Sequence, residues 1–163
     1  RDLTAECGFK PIAGGAFVGQ HSFHGEATPI AAGRPDASDV RVAERFGARI
    51  RTKIDGARSI DEIGVPEVPG GFPFLEWALK AGPAPAVLPE RCDRCGACAS
   101  ACPTAAITAG EAMRTDGDAC ILCSACITAC PTGARAWRTP WILQTAAWLS
   151  ANCSARKEPE FFF

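Results

Sequence analysis

The sequence carries almost no excess charge of either sign. Its 163 residues include 17 basic and 18 acidic ones, which gives a formal net charge of −1. Proteins that bind nucleic acid usually carry a basic excess, so the charge balance favours no such partner. No apolar run approaches the roughly 18 residues of a membrane helix. The best candidate, Trp141 to Leu149, contains Gln144 and predicts an amphipathic helix packed on its own domain.

Patterns typical of catalysis and export are also scarce. The sequence has no recognisable acid–base pair and no activated nucleophile, so we expect no independent catalytic site, although an enzymatic role stays open. His21 and His24 are the only histidines. A place beside a flavin or on a proton path is one interpretation of them, and loop histidines that organise a turn through hydrogen bonds are the favoured one. Ten cysteines without a recognisable signal peptide indicate a reducing, cytoplasmic location.

Cysteine is the residue that the chain uses most distinctively, because eight of the ten fall into two runs of one spacing. The runs are Cys92-x-x-Cys95-x-x-Cys98-x-x-x-Cys102-Pro103 and, 28 residues further on, Cys120-x-x-Cys123-x-x-Cys126-x-x-x-Cys130-Pro131. Residues 92–107 and 120–135 are identical at nine of sixteen positions. This internal repeat predicts a domain of two similar halves, each with a short strand, a cysteine loop and a helical turn.

The spacing is the ligand pattern of a bacterial two-cluster 4Fe–4S ferredoxin, in which the fourth cysteine of each run ligates the other cluster. The predicted ligands of the first cluster are Cys92, Cys95, Cys98 and Cys130, and those of the second are Cys120, Cys123, Cys126 and Cys102. The implied chemistry is one-electron transfer at low potential. Structural zinc, a disulfide framework and radical-SAM chemistry are disfavoured, because each needs another spacing or an oxidising compartment.

The residues around the cysteines fit this hypothesis. Small side chains follow the second cysteine of each run and allow close approach of the backbone to an inorganic core. Pro103 and Pro131 end the helical turns, because proline lacks an N–H group. Residues 105–108 and 113–116 flank Ala109-Gly110-Glu111 and predict a hairpin between the two halves.

The first sixty residues predict a helix end, a strand, a loop and a second helix. Residues 3–7 followed by Gly8 indicate a helix that ends at a glycine, and residues 9–18 indicate a buried strand. Asp36 or Ser38 is the expected N-cap of the second helix. Its predicted apolar face consists of Val42, Phe46, Ile50 and Ile54, and its predicted solvent side carries Arg41, Arg45, Arg49 and Arg51.

Three stretches resemble a known family. Gly15-Ala16-Phe17-Val18-Gly19-Gln20-His21-Ser22-Phe23 and Pro29-Ile30-Ala31-Ala32-Gly33-Arg34-Pro35-Asp36, with Asp39, resemble the C-terminal part of a flavodoxin-like domain. The family is the EFR-type flavodoxin–ferredoxin fusion, which is common in anaerobes. The terminal residues 156–162 resemble the end of the same family. The resemblance implies the last strand–helix unit of an α/β sheet and electron exchange with FMN.

The sequence departs from that family in one respect. It has no Ser/Thr- and Gly-rich loop of the kind that holds the FMN phosphate, and the first four strands of a doubly wound sheet are missing. The first residue is Arg1 rather than Met. We therefore expect a fragment of a longer protein, with FMN bound only if a complete flavodoxin domain lies upstream.

The predicted fold class is α+β. Residues 1–60 are the expected flavodoxin-like remnant, and residues 61–87 a Pro/Gly-rich linker with a short helix at 74–80. Residues 88–139 are the expected two-cluster ferredoxin domain, followed by a C-terminal helix and tail at 140–163. Trp137, Trp141 and Trp148 are expected to pack that helix on the cluster domain. Cys7 and Cys153 are expected to be buried or semi-exposed free thiols.

The predicted function is electron transfer with a flavoprotein or reductase partner. An alternative is the iron–sulfur part of a flavin-dependent reductase that acts on a small substrate. A third possibility is a purely structural cluster domain. Two cross-ligated clusters argue against it, because one cluster is enough to hold a small fold together.

Overall fold

The computed structural model describes residues 2–71 and 82–163 and has the mixed α+β character predicted. Its helices are α1 (Asp2–Glu6), α2 (Ala37–Asp55), α3 (Ala97–Ser100), α4 (Ala125–Thr128) and α5 (Pro140–Asn152). Its strands are β1 (Gly14–Ala16), β2 (Ala86–Val87), β3 (Ile107–Thr108), β4 (Arg114–Thr115), β5 (Arg135–Ala136) and β6 (Glu160–Phe162). The helix predicted at 74–80 lies outside the described residues. Within the described ranges, no helix combines the length and apolar character needed to cross a bilayer.

The described residues form two compact units, and neither is continuous in sequence. The helix unit comprises residues 2–20, 31–71 and 155–163. The cysteine unit comprises residues 21–30 and 82–154.

The helix unit is organised around α2. Asp36 is its N-cap, because the Asp36 carboxylate accepts the N–H groups of Ser38 and Asp39, at 2.8 and 3.0 Å. The predicted apolar face is confirmed for Val42, Phe46 and Ile50, which are half-buried. It is wrong for Ile54, which is 43% exposed at the last turn. The four arginines of the opposite face are exposed, as predicted.

The buried strand predicted over residues 9–18 is wrong. Only Gly14–Ala16 form a strand, these residues are partly or fully exposed, and Phe9 is 70% exposed. β1 pairs antiparallel with β6 at the far end of the chain, with Gly14 opposite Phe162. Phe46 of α2 stacks on Phe161 with ring centroids 4.5 Å apart. A two-stranded ribbon covered by one helix has little interior, so the apolar residues of this stretch stay accessible.

A buried ion-pair network fixes the start of α2. Asp39 is 1% exposed and accepts two hydrogen bonds from the Arg34 guanidinium, at 2.6 and 2.9 Å. The guanidinium of Arg156, from the C-terminal tail, donates to the same carboxylate at 3.0 Å and to Asp36 at 2.7 Å. The network therefore ties the tail to the helix N-terminus.

The cysteine unit is built from two interlocked halves. The elements β2, α3 and β3 recur 28 residues later as β4, α4 and β5. Each sheet takes one strand from each half, because β2 pairs with β5 and β3 pairs with β4. The β3–β4 pair confirms the predicted hairpin. Cys98, Ile107, Met113 and Cys126 form the buried core between the halves.

The C-terminal helix α5 is present, as predicted. The predicted packing of the three tryptophans is only partly correct. Trp137 and Trp141 contact Phe23 edge-on, with centroids at 5.6 and 6.3 Å. The prediction for Trp148 is wrong, because that side chain is 60% exposed. The residue that α5 buries completely is Ile142, at 0% exposure.

We expect Ile142→Ala to lower the free energy of unfolding by about 3 kcal/mol, because it deletes buried methyl groups and leaves a cavity. Denaturant unfolding followed by tryptophan fluorescence measures the loss. Leu143→Ala is the matched control, because Leu143 is 47% exposed on the same helix and its loss should stay below about 0.5 kcal/mol. Equal losses in the two variants would contradict the assignment of Ile142 to the core.

Candidate iron–sulfur site

Each cysteine loop contains residues with left-handed backbone, and they recur at the repeat distance. The φ angles are 60° at Arg94 and 79° at Gly96, then 58° at Leu122 and 61° at Ser124. Positive φ is uncommon outside glycine, so the three non-glycine residues among them indicate a backbone shape required by the site. Left-handed residues in such loops turn successive N–H groups to one side and form a concavity for anions, iron–sulfur clusters included.

The cysteine unit contains a first recess that is lined by both of its halves. Cys92, Cys95 and Cys98 enter it from the first run. The fourth cysteine that lines it is Cys130, from the second run.

The second recess repeats this arrangement with the runs exchanged. Cys120, Cys123 and Cys126 line it together with Cys102 from the first run. The fold thus collects the eight cysteines into the two crossed groups of four that the spacing predicts, although ligation itself stays a prediction.

The spacing of the thiols argues for a group larger than one ion. In the described part of the chain, no three Cys, His, Asp or Glu side chains lie close enough together to hold a single metal ion. A tetrahedral zinc site needs all four sulfurs about 2.3 Å from one centre. Four thiols spread around a recess instead fit a cluster in which each iron takes one of them.

Hydrogen bonds to sulfur prepare the crossing cysteines for ligation. The Thr104 hydroxyl lies 3.6 Å from Cys102 Sγ, and the Thr132 hydroxyl lies 3.7 Å from Cys130 Sγ. The backbone N–H of Ala134 also donates to Cys130 Sγ, at 3.2 Å. Burial opposes ionisation, yet these bonds together hold the pKa of Cys102 and of Cys130 below the usual thiol value. The thiolate is the form that binds iron, so donors to sulfur favour the ligating state. At Cys130 these are Thr132 and the Ala134 N–H group. At Cys102 they are the backbone groups of residues 104, 106 and 107, because the Thr104 hydroxyl donates to the Ala119 carbonyl at 2.8 Å.

The cysteines of each recess differ in depth. Cys98 and Cys126 are buried, whereas Cys95 and Cys123 are exposed. Burial raises the pKa of the Cys126 thiol, and the charge of Arg135 partly offsets that effect. The exposed cysteines lie at the solvent-facing edge of each recess. An electron would have its shortest path to solvent there.

Several residues important to this geometry were not predicted from the sequence. They are Thr104, Thr132, Arg135 and Ser124, which accepts a hydrogen bond from Trp137 Nε1 at 2.8 Å. The threonines are visible as identities of the repeat, whereas Arg135 is visible only as a mismatch with Ile107.

The two histidines and the two remaining cysteines, which are the other candidate functional residues of the sequence, lie outside the recesses. Nδ1 of His21 accepts the N–H of Phe23 at 3.0 Å, and Nδ1 of His24 accepts the N–H of Ile30 at 3.1 Å. These bonds confirm the turn-organising interpretation of both histidines. Cys7 and Cys153 are free thiols, as predicted, and line neither recess, but they are exposed and not buried or semi-exposed as expected.

Residues 91–134 match the family model of the 4Fe-4S dicluster domain. This stretch is therefore an iron–sulfur, ferredoxin-like domain, and its chemistry is electron transfer by iron–sulfur clusters. No curated protein and no solved structure shows significant similarity to the chain. The flavodoxin part of the resemblance stays a hypothesis.

Proposed function

We propose that the chain is an electron carrier that binds two 4Fe–4S clusters. Cys92, Cys95, Cys98 and Cys130 hold one of them, and Cys120, Cys123, Cys126 and Cys102 hold the other. The observation that carries the proposal is the crossed grouping of the cysteines around two separate recesses. When bound, each cluster supplies reversible one-electron chemistry.

The chain contributes binding, solvent exclusion and charge. The thiolates fix the position of each cluster, and the N–H concavity offers hydrogen bonds to its sulfurs. Cys98 and Cys126 lie in the shared core with Ile107 and Met113, so the inner side of both recesses is mostly apolar. Cys95 and Cys123 are exposed, so electron exchange with a partner is expected at their edges of the recesses.

The proposed redox partner is a flavoprotein or a reductase. The support for a flavin is the resemblance of residues 15–36 to a flavodoxin-like domain, and FMN binding requires residues beyond those present here. A flavin-dependent reductase that acts on a small substrate is the alternative. Oxidation of the reduced protein by a substrate in the presence of flavin would favour it.

The first test is the cluster content of anaerobically reconstituted protein. We expect roughly eight irons and eight acid-labile sulfides per chain, with an EPR signal of two interacting clusters after reduction by dithionite. Four or fewer irons, or tight zinc binding without a reducible signal, would contradict the two-cluster carrier. Clusters that bind but cannot be reduced reversibly would instead support a structural role.

A further inference from the structure

The two recesses are related by the repeat, but they differ in charge. The first is lined by three charged residues, Asp93, Arg94 and Arg135. The residues that line the second include no charged side chain. The positions equivalent to those three are Ile121, Leu122 and Ile107. The repeat therefore offers two similar cavities with different electrostatic surroundings.

Of the three charged residues, only Arg135 is buried. Asp93 and Arg94 are exposed and opposite in sign, so their effects largely cancel and are screened by solvent. Arg135 is 3% exposed, and its charge acts through a medium of low polarisability. The charge of Arg135 also acts on Cys126 of the second recess, so what distinguishes the recesses is where the guanidinium donates its hydrogen bonds.

The Arg135 guanidinium is fixed in place by three acceptors. One nitrogen donates to the Thr115 hydroxyl at 2.6 Å and to the carbonyl of Pro85 at 3.2 Å. The other donates to Cys98 Sγ, a buried cysteine of the first recess, at 3.5 Å. A donor to a ligating sulfur stabilises added negative charge on the group that the sulfur binds. Pro85 and Thr115 line the second recess, but among the described residues no charged side chain donates a hydrogen bond to a sulfur of that recess.

We propose that Arg135 makes the first recess the preferred site of the electron in the singly reduced protein. The proposal rests on the proposed function, since it requires both clusters. The step takes one electron from a one-electron reductant and places one negative charge in the recess. No bond is formed or broken and no proton moves, because the guanidinium is permanently charged. Arg135 is thus a residue that tunes potential and lies between the halves.

The test is an EPR-monitored redox titration of the full chain with dithionite. We expect two potentials in the native protein. In Arg135→Gln, the equilibrium constant for reduction of the cluster in the first recess should fall about tenfold, which lowers its potential by about 59 mV for a one-electron couple. The potential of the cluster in the second recess should change less. In Arg135→Lys, which keeps the charge, the potential of the first recess should lie between those of the native protein and of Arg135→Gln. Arg114→Gln is the control, because it removes the same charge from an exposed position outside both recesses and should shift neither potential by more than a small, salt-dependent amount.

Paramagnetic NMR of the half-reduced native protein identifies the recess and does not depend on any variant. The Hβ signals of Cys92, Cys95 and Cys98 should show most of the change in chemical shift that accompanies reduction. An even distribution, or a preference for Cys120, Cys123 and Cys126, overturns the proposal. It is also overturned if Arg114→Gln shifts the potential of the first recess as much as Arg135→Gln. Failure of the proposed function is distinct, because the native protein would then lack two reducible clusters.

Discussion

Replacing Cys102 by alanine should remove the iron from the recess of Cys120, Cys123 and Cys126, although Cys102 belongs to the first run. Cys102 lines that recess and not the one formed by its own run. The variant should bind about four irons instead of roughly eight, since a cubane that lacks one of its four thiolates is readily lost. Iron and acid-labile sulfide analysis after anaerobic reconstitution measures the change. Cys153→Ala, which removes an exposed thiol outside both recesses, should keep the native content.

Pairs of substitutions distinguish crossed ligation from ligation within each run. With crossing, Cys102→Ala combined with Cys120→Ala damages one recess twice, so about four irons should remain. Cys102→Ala combined with Cys92→Ala damages both recesses and should leave almost none. Ligation by run predicts the reverse pattern, which would refute the assignment. If the alanine variants lose all their iron, serine variants keep an oxygen ligand and allow the same comparison.

The cysteine unit was largely predictable because its information is local and repeated. The spacing of the cysteines and the second copy 28 residues later predicted the hairpin, the helical turns and the crossed grouping. The start of α2 was equally predictable, because an N-cap depends on a few adjacent residues. Asp36 and the arginine-rich solvent face of the helix were therefore placed correctly.

The helix unit was harder to predict because its contacts join distant parts of the chain. β1 is paired with residues 160–162, and no local pattern indicates an antiparallel partner so far away. The same holds for Asp39, whose partner Arg156 lies 117 positions further on. Arg135 was missed for another reason. A repeat is recognised by its identical positions, whereas Arg135 stands opposite Ile107. Its buried charge beside the first recess was therefore not predicted.

Asp39→Asn should produce the largest loss of stability that a single substitution causes in the helix unit. The carboxylate is 1% exposed and accepts from Arg34, from Arg156 and from the backbone N–H of Asp36 at 2.8 Å. The amide cannot balance two guanidinium charges, and Arg34 would be left buried without its ionic partner. We expect the midpoint of thermal unfolding to fall by roughly 10 °C or more, measured by far-UV circular dichroism. Asp55→Asn is the control, because Asp55 is 58% exposed in its pair with Arg51 and should change the midpoint little.

The same carboxylate makes a defined contribution to pH dependence. The hydrogen bonds from Arg34 and from the Asp36 N–H hold the pKa of Asp39 well below its usual range. Because the folded-state pKa is lowered, the stabilisation is fully present above the ordinary carboxyl pKa of about 3.9 and is lost as the pH falls from there through the lowered value. The native chain should therefore lose stability on acidification in that window more steeply than Asp39→Asn. Parallel pH profiles of the two proteins would show that the tail and the helix N-terminus are joined by something other than this ionised group.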